Sequence, residues 1–166
     1  MPHRPAAVAA RRRFDSVEQE AYLNLWRTYD RLKVIEEEVF AQVGISPQQY
    51  NTLRLLKAAA PQGLTVQGIG DRLISRAPDM TRLLDRLEER GWVARVRRSD
   101  NRRVVDVTLT TAGRALLEEL AARVMECHRA QLGHLTREQL QSLIEILAVA
   151  REPHEDPDSV WARSAT

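Results

Sequence analysis

Three groups of side chains carry chemistry worth weighing. The first is arginine: of the 25 Lys and Arg residues only Lys33 and Lys57 are lysines, and the guanidinium fork matches phosphate oxygens or a guanine edge with two hydrogen bonds at once. These arginines gather at two places, with Arg76, Arg82 and Arg86 between Ser75 and Arg90, and Arg97, Arg98, Arg102 and Arg103 around the turn residues Ser99, Asp100 and Asn101. The second group is Cys127 with His3, His128, His134 and His154. One cysteine excludes an internal disulfide and a multi-cysteine zinc site, and the histidines lack ligand spacing, so no metal is expected. Cys127 reads as a small buried hydrophobe, with a redox switch as the competing use. The third group is aromatic: Tyr22, Trp26 and Tyr29 at helical spacing, with Tyr50, could line an effector pocket, although such stripes are more often core. Nothing resembles a phosphate loop, a nucleophile elbow or a paired-carboxylate site, so neither catalytic residues, enzymatic activity nor a cofactor is expected.

The elements that must hold these groups are mainly helical. Apolar residues recur from about Ser16 to Val43 as Tyr22, Leu25, Trp26, Tyr29, Leu32, Ile35 and Val39, which predicts a long amphipathic helix ended by Gly44. Ser46-Pro47-Gln48-Gln49 supplies an N-cap, a first-turn proline and a capping glutamine for a second helix running to about Ala60. After the break at Pro61-Gln62-Gly63, Thr65 can cap a short helix that faces Val66, Ile69 and Leu73 inward. Gly68 and Gly70 weaken that helix and suggest that another helix packs closely over it.

The next helix is expected to include Ala77 to Arg90, with Pro78 in its first turn and Gly91 ending it. Steps of 100° put Met80, Leu83, Leu84 and Leu87 on one face and Pro78, Arg82, Asp85, Arg86 and Glu89 opposite. A short helix, a tight turn and a second amphipathic helix make a helix-turn-helix, whose second helix enters the major groove of DNA. The bland alternative pairs Arg82 and Arg86 with Asp79, Asp85, Glu88 and Glu89 at helical spacing, and the helix alone does not decide. The segment Val93–Leu109 does. Val93 to Arg98 alternates apolar and polar, Ser99-Asp100-Asn101 turns, and Arg102 to Leu109 alternates again, which predicts a β-hairpin. Its tip sets four arginines against Asp100, a concentration of charge that repels itself unless a polyanion is present.

The run Met80 to Gly91, the hairpin start Val93-Ala94-Arg95, the tip Asn101-Arg102-Arg103 and the segment Leu109-Thr110-Thr111-Ala112-Gly113 together resemble the MarR family of bacterial transcription regulators. The resemblance extends over nearly the whole chain. It implies a homodimeric winged helix-turn-helix that binds a pseudo-palindromic operator in double-stranded DNA, usually as a repressor, and that often releases DNA on binding a small anionic or phenolic ligand. Carried onto this sequence, the recognition-helix contacts are Ser75, Arg76, Pro78, Asp79, Thr81, Arg82 and Arg86, and the wing contacts are Arg97, Arg98, Asn101, Arg102 and Arg103. One position departs from the family: its wing commonly reads Asp-Arg-Arg, and here Asn101 holds the aspartate's place, leaving Asp100 as the candidate to brace an arginine.

Leu116, Leu117, Leu120, Val124 and Cys127 form a stripe between Thr110 and about Gly133, and Thr136-Arg137-Glu138-Gln139 is a capping box for a last helix presenting Leu140, Leu143, Ile144 and Leu147. These stripes, with that of the first helix, call for a second subunit. The expected organisation is a basic arm over 1–15, an N-terminal dimerisation helix over 16–45, the DNA-binding domain over 46–112, C-terminal dimerisation helices over 113–150 and a tail over 151–166. With 166 residues, 43% of them hydrophobic, 29% charged and a net charge of +2, the chain can fold around its own core. No apolar run reaches the ~18 residues of a membrane span and no signal peptide is evident, so a cytoplasmic location is expected. The fold class is thus mainly α with a small β-hairpin wing. Two rival uses remain open, a sensor working through Cys127 and a winged helix used for protein contact.

Overall fold

The computed structural model describes residues 14–74, 79–98, 101 and 104–155. The chain divides into two units, Met1–Val34 and Ile35–Thr166. In the first unit the described chain is the greater part of α1 (Val17–Ala41), entered by a turn in which the Ser16 hydroxyl accepts from the Gln19 N–H at 3.1 Å. Tyr22, Leu25, Trp26 and Tyr29 are exposed on it.

The second unit carries the winged helix. In α2 (Pro47–Ala58) the Ser46–Gln49 capping box forms as its sequence requires, and the buried Thr52 hydroxyl donates to the Gln48 carbonyl at 2.9 Å. A short strand, β1 (Leu64–Thr65), leads into α3 (Val66–Gly70), where the Thr65 hydroxyl accepts from the Gly68 N–H. The recognition helix is α4 (Met80–Glu89), followed by β2 (Val93–Arg97), β3 (Val105–Leu109), α5 (Thr111–Leu132), α6 (Arg137–Arg151) and a 3-10 turn over Glu152–His154. The sheet has three strands in the order β1-β3-β2, both pairs antiparallel, with Val93 opposite Leu109 and Arg97 opposite Val105. A third strand was not expected; it is two residues long, Leu64 opposite Val107 and Thr65 opposite Asp106, too short to leave a periodicity.

Leu53 and Leu56 of α2, Ile69 of α3, Leu84 and Leu87 of α4, Val107 of β3 and Leu120 of α5 are fully buried in one cluster with Phe40. Every helix from α2 to α5 therefore spends its apolar stripe on the same core. The expectation that Gly68 and Gly70 permit a close helix crossing is not met: a Cβ at Gly70 would sit 3.8 Å from the Met80 Cε, ordinary van der Waals contact, and one at Gly68 would meet only the Thr65 hydroxyl and the Arg72 guanidinium. The close approach is at Gly113 instead. A Cβ there would overlap the Trp92 carbonyl oxygen and lie 2.7 Å from Leu109 Cδ1. Gly113→Ala is expected to cost about 3 kcal/mol through overpacking, read as a lowered thermal midpoint by circular dichroism; an unchanged midpoint would contradict the close approach.

Candidate nucleic-acid interface

Helix α4 is shorter than its sequence pattern suggests. It begins at Met80, because Asp79 adopts a non-helical conformation (φ −141°, ψ 87°) and its carboxylate accepts from the Arg82 N–H at 2.9 Å. Asp79 thus caps the helix and does not sit within its first turn; an anionic cap is also favoured by the helix dipole. Ser75, Arg76, Ala77 and Pro78 lie outside the described residues. At the other end Gly91 takes φ +71°. Its N–H donates to the Glu88 carbonyl at 2.8 Å and the Trp92 N–H donates to the Leu87 carbonyl at 3.0 Å, the paired bonds of a Schellman stop. Leu83, Leu84 and Leu87 are buried as expected, whereas Thr81, Arg82 and Arg86 are exposed.

The acids of α4 do not pair with those arginines. Arg95, on β2, reaches back across the turn: its Nε donates to Glu88 Oε2 at 2.8 Å, its Nη2 lies 2.6 Å from Glu88 Oε2 and 2.6 Å from Asp85 Oδ1, and its backbone N–H donates to Glu88 Oε1 at 3.1 Å. These hydrogen bonds with Arg95 hold the Glu88 carboxyl below the usual glutamate range, and they raise the Arg95 pKa in turn. Among the described residues no ion pair involves Arg82 or Arg86. The sequence reading missed Arg95 because a separation of seven residues matches neither helix nor strand spacing; only the chain reversal at Gly91 brings it to Glu88.

In the hairpin, the Arg98 N–H continues the ladder to the Val104 carbonyl at 3.1 Å, and the Val104 N–H donates to the Asn101 carbonyl at 2.9 Å. The second strand starts at Val105, so its expected start at Arg102 is three residues early: the Asn101–Val104 bond turns the chain before the ladder resumes. Arg97 is exposed and makes no ion pair among the described residues. Arg98 is tied down, with Nε 2.6 Å from Asp106 Oδ2 and Nη2 2.9 Å from Oδ1, and this guanidinium lowers the Asp106 pKa. Asp106 therefore shares in balancing the tip, a role the alternation pattern hid by reading it only as an outward polar position. Asn101 is exposed; Arg102, Arg103 and Asp100, including its expected brace, lie outside the described residues.

The aromatic candidates fall in different units. Tyr22, Trp26 and Tyr29 are 60–64% exposed, the rings of the first two 6.3 Å apart. Tyr50 belongs to the core of the second unit, its ring centroid 4.6 Å from that of Phe40. Cys127 is buried, and burial, then the Glu36 charge, pushes its thiol up. Among the described residues no group of three His, Cys, Asp or Glu is placed to hold a metal ion, and no helix is long and apolar enough to cross a membrane.

The sequence pattern of the MarR family matches residues 45–105, from the approach to α2 into β3. The transcriptional regulator FarR of Neisseria gonorrhoeae is 34% identical over 110 residues, 66% of this chain and 74% of that protein. The transcriptional repressor MdtR of Bacillus subtilis is 28% identical over 134 residues, 81% of this chain and 85% of that protein. The crystal structure of a MarR transcription factor from Planctomyces limnophilus superimposes with a TM-score of 0.66 at 56% identity, over 82% of this chain and 99% of that one. With its capped recognition helix, its exposed arginines and its braced hairpin, this chain belongs to the MarR family of winged helix-turn-helix, DNA-binding transcription regulators.

Proposed function

We propose that the protein is a homodimeric repressor that reads a pseudo-palindromic operator with α4 and grips the flanking backbone with its wing, and that a small anionic or phenolic effector releases it. The carrying observation is the diversion of Asp85 and Glu88 to Arg95, which leaves Arg82 and Arg86 uncommitted on the outward face of α4. Arginines kept clear of neighbouring acids on a groove-sized helix suit base edges or phosphates. Arg97, Arg102 and Arg103 then serve phosphate contact, while Arg98 contributes from a fixed position. The role of α6 supports the dimer: it buries none of its residues, and its stripe of Leu140, Leu143, Ile144 and Leu147 is left half-buried or, at Ile144, 60% exposed. A second copy covering such a face brings two recognition helices to two half-sites. Tyr22, Trp26 and Tyr29 are the proposed effector contacts, whereas Tyr50 serves the core of the second unit. A raised thiol pKa at Cys127 keeps the thiolate scarce, which favours an effector over oxidation as the releasing signal.

Salt titration of operator binding separates backbone grip from base reading. Arg97→Ala is expected to weaken binding to all sequences and to reduce the slope of log affinity against log salt by about 0.9. Arg82→Ala should instead change the motif recovered in a binding-site selection. An unchanged slope in the first and an unchanged motif in the second would overturn these roles, and an absence of salt-dependent DNA affinity in the parent would point to a protein-contact module.

The brace has a pH signature. Because the Glu88 pKa is lowered from its ordinary 4.5 in the folded state, its stabilisation is complete above the unfolded value and disappears as pH falls through the folded one. Glu88→Gln should therefore have a lower thermal midpoint than the parent at pH 7, and the difference should shrink once pH falls below the ordinary glutamate value and close as it passes the lowered folded one. For the dimer, Ile144→Asp is expected to sediment as a monomer with an intact circular dichroism spectrum and weakened operator affinity; a dimeric variant would remove α6 from the interface.

A further inference from the structure

The ionic contacts of α4 leave one acid at its leading end. Asp85 and Glu88 are drawn off to Arg95, whereas Asp79 stays exposed at the start of the helix and makes no ion pair among the described residues. It lines one shallow cleft with Arg82 and Arg86 beside the start of α2, yet neither guanidinium pairs with it. The N-terminal residues of a recognition helix are the ones that meet base edges. A carboxylate held there is repelled by the phosphate charge unless a hydrogen-bond donor of the bases meets it. Capping alone does not require the charge. Ser and Asn cap a helix about equally well, and α2, α3, α5 and α6 are capped by the hydroxyls of Ser46, Thr65, Thr110 and Thr136.

The cap also fixes which oxygen of Asp79 is left to work. Its Oδ1 accepts the Arg82 N–H at 2.9 Å, and Oδ2 accepts no hydrogen bond from the described residues. Because that bond runs to the backbone of Arg82, the acceptor at 79 and the guanidinium at 82 are held in one register. In the major groove guanine presents O6 and N7 and thymine presents O4, acceptors that repel a carboxylate. The N6 amine of adenine lies beside the acceptor N7. Only cytosine presents an amine, N4, with no acceptor on the same edge of the base.

We infer that Asp79 is a specificity residue whose Oδ2 accepts from N4 of a cytosine, in the base pair next to the one that Arg82 reads. The assignment rests on α4 being the base-reading helix and adds to it the identity of one base. An acceptor and a donor fork in fixed register read two neighbouring pairs from one turn of helix.

Binding-site selection with the full-length protein, followed by titration of single-base variants of the selected site, tests the assignment. The parent is expected to prefer cytosine at that position over any other base by on the order of tenfold. Asp79→Asn keeps the cap through its own Oδ1 but presents an amine where Oδ2 stood, so the preference should pass to guanine or thymine, whose edges accept. Asp79→Ser keeps the cap and presents nothing, so the position should become degenerate while affinity for unrelated DNA rises about fivefold at low salt. Both variants should melt close to the parent, whereas Asp79→Ala should melt lower through the lost cap. The inference is overturned if no cytosine position neighbours the one that Arg82→Ala changes. It is equally overturned if Asp79→Asn or Asp79→Ser keeps the cytosine, since the carboxylate then serves only as a cap. In both cases a motif altered by Arg82→Ala leaves the base-reading role of α4 standing. A motif unchanged by Arg82→Ala, or a parent without salt-dependent DNA affinity, overturns the two together.

Discussion

One guanidinium holds the reading head together. Arg95 is the only described side chain that ties β2 to α4 by ionic contacts, and it does so through two carboxylates on successive turns of the helix. Each contact is partly exposed, and pairs of that kind contribute ~0–1 kcal/mol. Their value is geometric. A fork fixed at Asp85 and Glu88 sets the roll of α4 about its axis relative to the wing, because moving either element breaks several short contacts at once. Lysine could not do the same, having one charged point where the arrangement needs a plane.

The brace also sorts the charges of α4. Arginines at 82 and 86 and acids at 79, 85, 88 and 89 would neutralise one another on an isolated helix. In the folded chain Asp79 turns to the backbone as a cap, and Asp85 and Glu88 turn to the wing. The positive charge left facing outward follows from where the acids are sent, not from their number. On β3, Asp106 makes the opposite use of an acid, immobilising Arg98 beside an exposed Arg97.

How much of this was legible depended on the range of the interaction. The Ser46 and Thr136 capping boxes, the Thr65 cap and the buried face of Leu83, Leu84 and Leu87 rest on spacings of three or four residues, and they appear where the sequence places them. The β2–β3 hairpin was visible through alternation, though not its register or the start of β3, and the family resemblance covered the same stretch. Helix α4 starts later than periodicity suggests because a capping aspartate is as compatible with a first turn as with a cap until its φ and ψ are known. The Arg95 brace, β1 and the Gly113 approach join residues whose nearness depends on chain reversals, so no local pattern announces them.

The Trp92 carbonyl, three residues beyond the recognition helix, accepts the Thr110 N–H at 3.1 Å and blocks any side chain at Gly113, while the Thr110 hydroxyl donates to the Gly91 carbonyl at 2.7 Å. These two hydrogen bonds tie the start of α5 to the chain just beyond α4. A long rod fixed at one end is a lever arm, so a change in the angle of α5 at this joint would carry the end of the recognition helix with it.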